Sequence, residues 1–170
     1  MSGKQLFITT SSPKLRQFAT SAVAVQAILV NKANEILLLH SPSRNHGWQL
    51  VSGALEAGET LLGGTQRELF EELGMAVKAR PLGVVHAQTF HFDESVSYMI
   101  GIYYLFAYEG GEIRPGDDMA GSEYRWWSLA DLEAWSTPFH ATVMPWMLKR
   151  AVELHDLWLS QTEMPLQPAI

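Results

Sequence analysis

The chain contains no cysteine. A disulfide framework, a thiolate metal centre and a cysteine nucleophile are therefore excluded, and a reducing cytoplasm is the expected setting. Basic residues are scarce as well: 12 Lys and Arg stand against 18 Asp and Glu, a net charge of −6, and no run of them forms a track for a polyanion. Generic nucleic-acid binding is not expected. No apolar run approaches the roughly 20 residues of a membrane span. The stretch from Ala22 to Val30 is short and has Gln26 in its middle, so a buried strand accounts for it better than a targeting segment. The histidines lack the paired spacing of a zinc site, and neither a P-loop nor a nucleophilic-serine motif occurs.

What is present suits a globular domain. With 170 residues, 47% of them apolar and 18% charged, the chain can bury a core unaided and one domain is the expectation. Residues 1 to 20 read as a polar arm, residues 21 to 160 as the domain, and residues 161 to 170 as a loose tail. Within the domain, Ala22 to Val30 and Glu35 to His40 read as strands joined by Asn31-Lys32-Ala33-Asn34, a simple hairpin. Trp48 to Val51 reads as a short strand. Two long strands, about Ala76 to Phe92 and Ser95 to Tyr108, flank Asp93-Glu94, and Glu123 to Ser128 supplies another. Ser128 is placed to cap a short helix over Leu129 to Trp135. A last helix runs from Thr142 to Leu159, with Val143, Met147, Ala151, Leu154 and Trp158 on one stripe and Pro145 in its first turn. This order predicts an α/β or α+β fold, a mixed sheet covered on both faces.

The chemistry lies in residues 60 to 73. Leu62, Thr65, Leu69 and Leu73 recur at helical spacing, and Gly74 stands where a left-handed cap ends a helix. Glu68, Glu71 and Glu72 occupy positions i, i+3 and i+4, so three carboxylates share one face. Their repulsion calls for a positive partner. Magnesium suits it, being held by one or two carboxylates together with substrate phosphates, and it would let an acidic protein bind an anion. A solvated acidic face would explain a bare run of glutamates. It does not explain Gly53, Glu59, Arg67 and Gly74 in register with them, a coincidence expected in far fewer than about one chain in a million at ordinary composition.

The segment Gly53-x5-Glu59-x7-Arg67-Glu68-Leu69-x-Glu71-Glu72-x-Gly74-Met75 resembles the Nudix box at every fixed position, with Met75 as the final aliphatic residue and Val51-Ser52 in place of the commoner Pro-Gly lead. The resemblance covers Ala22 to Ser160 and implies a Nudix αβα sandwich with a mixed β-sheet between helices. It further implies a magnesium-dependent hydrolase, with manganese as a substitute, cleaving a phosphoanhydride bond of a nucleoside diphosphate linked to another moiety. Glu68, Glu71 and Glu72 would bind the metal with the Gly53 carbonyl, while Glu59 and Arg67 would hold the glutamates in place by ion pairing. Glu68 is favoured as general base and Glu123 is an outside candidate. The alternative is a scaffold that binds a nucleotide without turnover, though such a protein would be expected to lose metal glutamates that this chain keeps.

The box leaves the substrate open. A nucleotide-type small molecule is expected, with Trp48, Phe90, Phe92 and Tyr98 as candidate stacking residues and Arg44, His46 and His91 as candidate phosphate contacts. The proline that marks ADP-ribose substrates about fifteen residues past the box is replaced by Thr89-Phe90-His91-Phe92. Trp48-Gln49 and Tyr124-Arg125-Trp126 look somewhat like the bacterial dihydroneopterin-triphosphate and dATP hydrolases. A homodimer is left open.

Overall fold

The computed structural model describes residues 21–42, 47–94, 96–116, 119–134, 136 and 139–160. The expected arm and tail lie outside them, as do Arg44 and His46. Among the described residues the elements are, in order, β1 (Ala22–Val30), β2 (Ile36–His40), β3 (Val51–Ala54), α1 (Leu61–Leu73), β4 (Lys78–Phe90), β5 (Met99–Gly110), β6 (Glu123–Trp127), α2 (Leu129–Ala134) and α3 (Pro145–Leu159).

The sheet runs β4-β5-β1-β2-β6, with β3 on β1. Among the strands of the described residues, β1 and β5 pair in parallel, over nine registered residues from Ala22↔Met99 to Val30↔Ala107, and the others pair antiparallel, which makes the sheet mixed. Because side chains alternate along a strand, β1 serves both faces. Ile28 and Val30 enter a core with Leu105, Met147, Leu148 and Ala151 beneath α3, while Ala27 and Leu29 enter one with Leu69, Leu73 and Phe106 beneath α1. The fold is the expected αβα sandwich.

Three local readings differ from the structure. The β1–β2 hairpin is paired only at Val30↔Ile36; β2 then diverges to pair along β6, and β3 takes the vacated edge of β1 through Gln26↔Ser52 and Val25↔Gly53. Trp48 and Gln49 make isolated bridges to Phe139 and Leu39 rather than a strand, and β3 begins at Val51. Gly74 has φ 92° and ψ 151°, an extended conformation open chiefly to glycine, not the left-handed helical cap. Its N–H donates to the Phe70 carbonyl at 2.9 Å, and the Arg114 and Gly116 amides satisfy the Leu73 and Glu72 carbonyls. The helix end is thus closed by a remote loop.

The start of α1 agrees with the expected helix from residue 60, and Thr60 Oγ1 accepts from the Gly63 N–H at 3.0 Å and caps it. Ser128 and Asp131 cap α2 reciprocally, the Ser128 hydroxyl accepting from the Asp131 N–H and the Asp131 carboxylate accepting from the Ser128 N–H. Pro145 opens α3. Gly64, costly in a helix interior by about 1 kcal/mol relative to alanine, has a packing reason: a Cβ there would stand 2.7 Å from Leu55 Cδ1 and 2.9 Å from Glu59 Oε2.

Candidate active site

The box folds as β3, a loop and α1. Arg67 is its hub. Nε donates to Glu59 Oε1 at 2.8 Å, Nη1 to Glu68 Oε1 at 2.7 Å and to Glu71 Oε2 at 2.8 Å, and Nη2 to the Ala54 carbonyl at 2.9 Å and Glu59 Oε2 at 3.1 Å. A planar guanidinium with five donors can serve this many acceptors at once; a lysine cannot. These bonds, Glu59's first, raise the already high pKa of Arg67, and the same guanidinium lowers that of Glu59, whose Oε2 also accepts from the Glu56 N–H.

The acidic face of α1 is graded in burial. Glu71 is exposed, Glu68 is half-buried, and Glu72 is 2% exposed and accepts from the Ser52 N–H at 3.3 Å. Glu68 lies so close to β3 that a Cβ on Gly53 would overlap its carboxylate. Glycine is needed at position 53 for this approach, not for an unusual φ.

As donors the three carboxylates suit a hard divalent cation, which takes oxygen ligands. They are not drawn together around one point: among the described residues no three acidic, histidine or cysteine side chains form a group able to hold a metal as they stand. Arg67 instead provides the cation that the clustered charges require, engaging one oxygen each of Glu68 and Glu71. The set therefore fits a metal by the chemistry of its donors and by the Gly53 cradle.

Beside the box, on the α3 side of the sheet, lies a cavity of about 620 Å³. Ser52, Gly53 and Ala54 form one wall, so β3 borders both the cavity and the carboxylates. Gln26, Gln88 and Tyr103 line it, with Phe90 and His91 from the end of β4 and His140 and Thr142 from the segment before α3.

Phe90 and His91, expected among the substrate residues, both line this cavity. Trp48 requires correction. Its ring is 9% exposed, stands 5.1 Å edge-on from Trp127 and 5.3 Å from His40, and belongs to the core beneath α3, leaving no open face for a base. Glu123 is also displaced from its expected role: it is exposed at the far edge strand, opposite His40, and does not line the cavity. Gln26, Gln88, Tyr103 and His140 also line this cavity and are not among the expected substrate residues. For Gln26 a signal exists, a lone amide within an apolar strand; the others carry none.

A NUDIX domain model matches residues 20–147. The chain belongs to the Nudix family. Among relatives, the NAD-capped RNA hydrolase NudC of Vibrio parahaemolyticus is 34% identical over 107 residues, 62% of this chain and 38% of that protein. The ADP-ribose pyrophosphatase of Methanocaldococcus jannaschii is 32% identical over 114 residues, 65% of each. The Nudix chain described here thus spans little more than a third of the first relative and under two thirds of the second. Solved structures agree on the fold: a NUDIX-family hydrolase from Clostridium perfringens has a TM-score of 0.62 at 19% identity, covering 82% of this chain and 99% of its own. An ADP-ribose pyrophosphatase from Streptococcus suis has a TM-score of 0.61 at 18% identity, covering 85% and 96%. Nudix hydrolases generally use divalent metals. No helix among the described residues is long and apolar enough to cross a membrane.

Proposed function

We propose that this Nudix chain is a magnesium-dependent pyrophosphohydrolase, accepting manganese as a substitute, whose substrate is a nucleoside diphosphate linked to a second moiety. The observation that carries the reading is the place of β3. Its residues Ser52 to Ala54 wall the cavity, and the same segment touches Glu68 and Glu72, so a ligand filling the cavity brings its diphosphate to the acidic face of α1.

In this reading Glu68, Glu71, Glu72 and the Gly53 carbonyl hold the metal. Bound there, a divalent cation neutralises charge on the diphosphate and lowers the pKa of a water. Arg67 and Glu59 position the carboxylates, and Glu68, which lies against Gly53 of the cavity wall, receives the proton of the attacking water. Glu123 has no part.

The named activities of the relatives, on ADP-ribose and on NAD-capped RNA, share a diphosphate beside a nucleoside and support this substrate class. A net charge of −6 without a basic track favours a small molecule over a polynucleotide. We assign the work to the cytoplasm, consistent with a chain free of cysteine.

The test is a panel of nucleotide sugars, dinucleoside polyphosphates and nucleoside triphosphates, assayed for released phosphate after phosphatase treatment, with and without Mg²⁺. Hydrolysis of at least one diphosphate-linked nucleoside that stops on chelation is expected. Tight binding without turnover of any member would overturn the enzymatic reading in favour of a nucleotide-binding scaffold.

A further inference from the structure

One interior side chain is unexplained by the fold. Gln26, midway along β1, is 2% exposed, and its Oε1 has no hydrogen-bond partner. Buried amide oxygens are nearly always satisfied, and leaving one unpaired is destabilising. Hydrophobic residues surround it in sequence, and any of them would have filled a strand interior without that cost.

The neighbours of Gln26 are polar and face the same cavity. Tyr103 is its registered partner on β5 and accepts from Gln88 Nε2 at 2.9 Å. An accepting phenol still holds its own proton, and burial raises its pKa so that the proton is retained. Gly101 keeps the floor open between this strip and Phe90: a Cβ there would stand 3.1 Å from Phe90 Cε1 and 3.5 Å from Gln26 Oε1. Across β3, Ser52 is registered with Gln26 and its N–H reaches Glu72, so the strip lies one strand from the box. An acceptor, a donor and an aromatic edge thus converge beside the carboxylates.

We propose that the Gln26 carboxamide reads the edge of an adenine-type base in the substrate, its Oε1 accepting from the base amino group. A primary amide presents a donor and an acceptor side by side, which matches the adjacent amino group and ring nitrogen of adenine in two parallel hydrogen bonds. Tyr103 and Gln88 flank the pair, and Phe90 bounds the base. The inference rests on the cavity being the substrate site and makes Gln26 its specificity residue.

Two compounds decide it: an adenosine 5′-diphosphate ester and the same ester with unsubstituted purine, which lacks only the amino group. Wild-type protein should lose roughly 10- to 100-fold in kcat/KM on the purine compound, more in KM than in kcat. Gln26→Leu should lower kcat/KM for the adenine ester more than for the purine ester, which loses only the bond to the ring nitrogen, so that the ratio between the two compounds falls to near one; its melting temperature should not fall, since the unpaired amide is removed. Equal use of both compounds by the wild type, or a preference that survives Gln26→Leu, overturns the proposal. If Gln26→Leu does not fold, the wild-type ratio alone decides. Should no compound be hydrolysed, calorimetric binding of AMP and of purine riboside monophosphate in EDTA separates the two claims. A preference for AMP that Gln26→Leu abolishes keeps the base reading while the hydrolase reading fails; equal binding of the two monophosphates overturns the base reading.

Discussion

The carboxylate of Glu68 and a side chain at position 53 compete for the same space: a Cβ built on Gly53 overlaps the carboxyl carbon and both oxygens of Glu68. The backbone at Gly53 is not in the positive-φ region, so alanine is tolerable to β3 itself and the flexible glutamate is the group that must move. Gly53→Ala is expected to fold with a melting temperature close to that of the parent and to lose roughly 10- to 100-fold in kcat/KM, the range seen when support of a metal ligand is disturbed. Steady-state kinetics beside a thermal melt check this. Unimpaired turnover would show that the place of Glu68 against β3 is unimportant.

Arg67 answers to Glu59, Glu68, Glu71 and the Ala54 carbonyl together. Arg67→Lys keeps the charge but not the fork, so a similar loss of activity is expected with a stability cost of about 1 kcal/mol or less, since the network is partly exposed and screened by solvent. Chemical denaturation and the Mg²⁺ concentration at half-maximal rate are the measurements. A lysine variant with the parent's metal dependence would remove Arg67 from its positioning role.

Glu72 is buried, and its Oε2 accepts from the Ser52 N–H. Gln offers the same shape and an oxygen for that bond. Glu72→Gln should therefore melt with the parent yet show no detectable turnover, and normal hydrolysis by this variant would refute the metal assignment.

Glu59 titrates against Arg67. Its carboxyl lies below the ordinary 4.5, held there by the guanidinium and the Glu56 amide. A depressed carboxylate stabilises the fold above its unfolded value and ceases to as pH falls through the folded one. Stability should thus decline below about pH 4.5, and Glu59→Gln should flatten that part of the profile in a pH series of thermal melts.

His155 acts on the opposite side of the molecule. It is 2% exposed, with Nδ1 3.0 Å from Asn34 Oδ1, and Asn34 holds the β1–β2 turn at φ 59°. Burial lowers its pKa below 6.5, against a smaller pull upward from Asp156. The unfolded chain therefore binds the proton first, and stability should fall as pH drops from about 6.5 toward the folded value. His155→Phe should lose that step between about pH 7 and 5 in melting experiments.

How much of this was written locally is visible in particular residues. The spacing of Glu68, Glu71 and Glu72 determined one acidic helix face, because 3.6 residues per turn leaves no other arrangement, and Ser128 marked the start of α2 through a bond reaching three residues. Periodicity could not tell Trp48 in the core from Trp48 on a ligand, since an aromatic ring at that spacing serves either, and only packing against Trp127 decides. Nor could it foresee that β2 would leave β1 for β6, or that a loop 40 residues beyond Gly74 would close the end of α1. The cavity belongs wholly to that second class: Gln26, Ser52, Gln88 and Tyr103 come from four strands, and the parallel pairing of β1 with β5 brings them together across the sheet. Local bonds are specified by neighbours in the chain, whereas a surface made by strand pairing exists only once the whole sheet has formed.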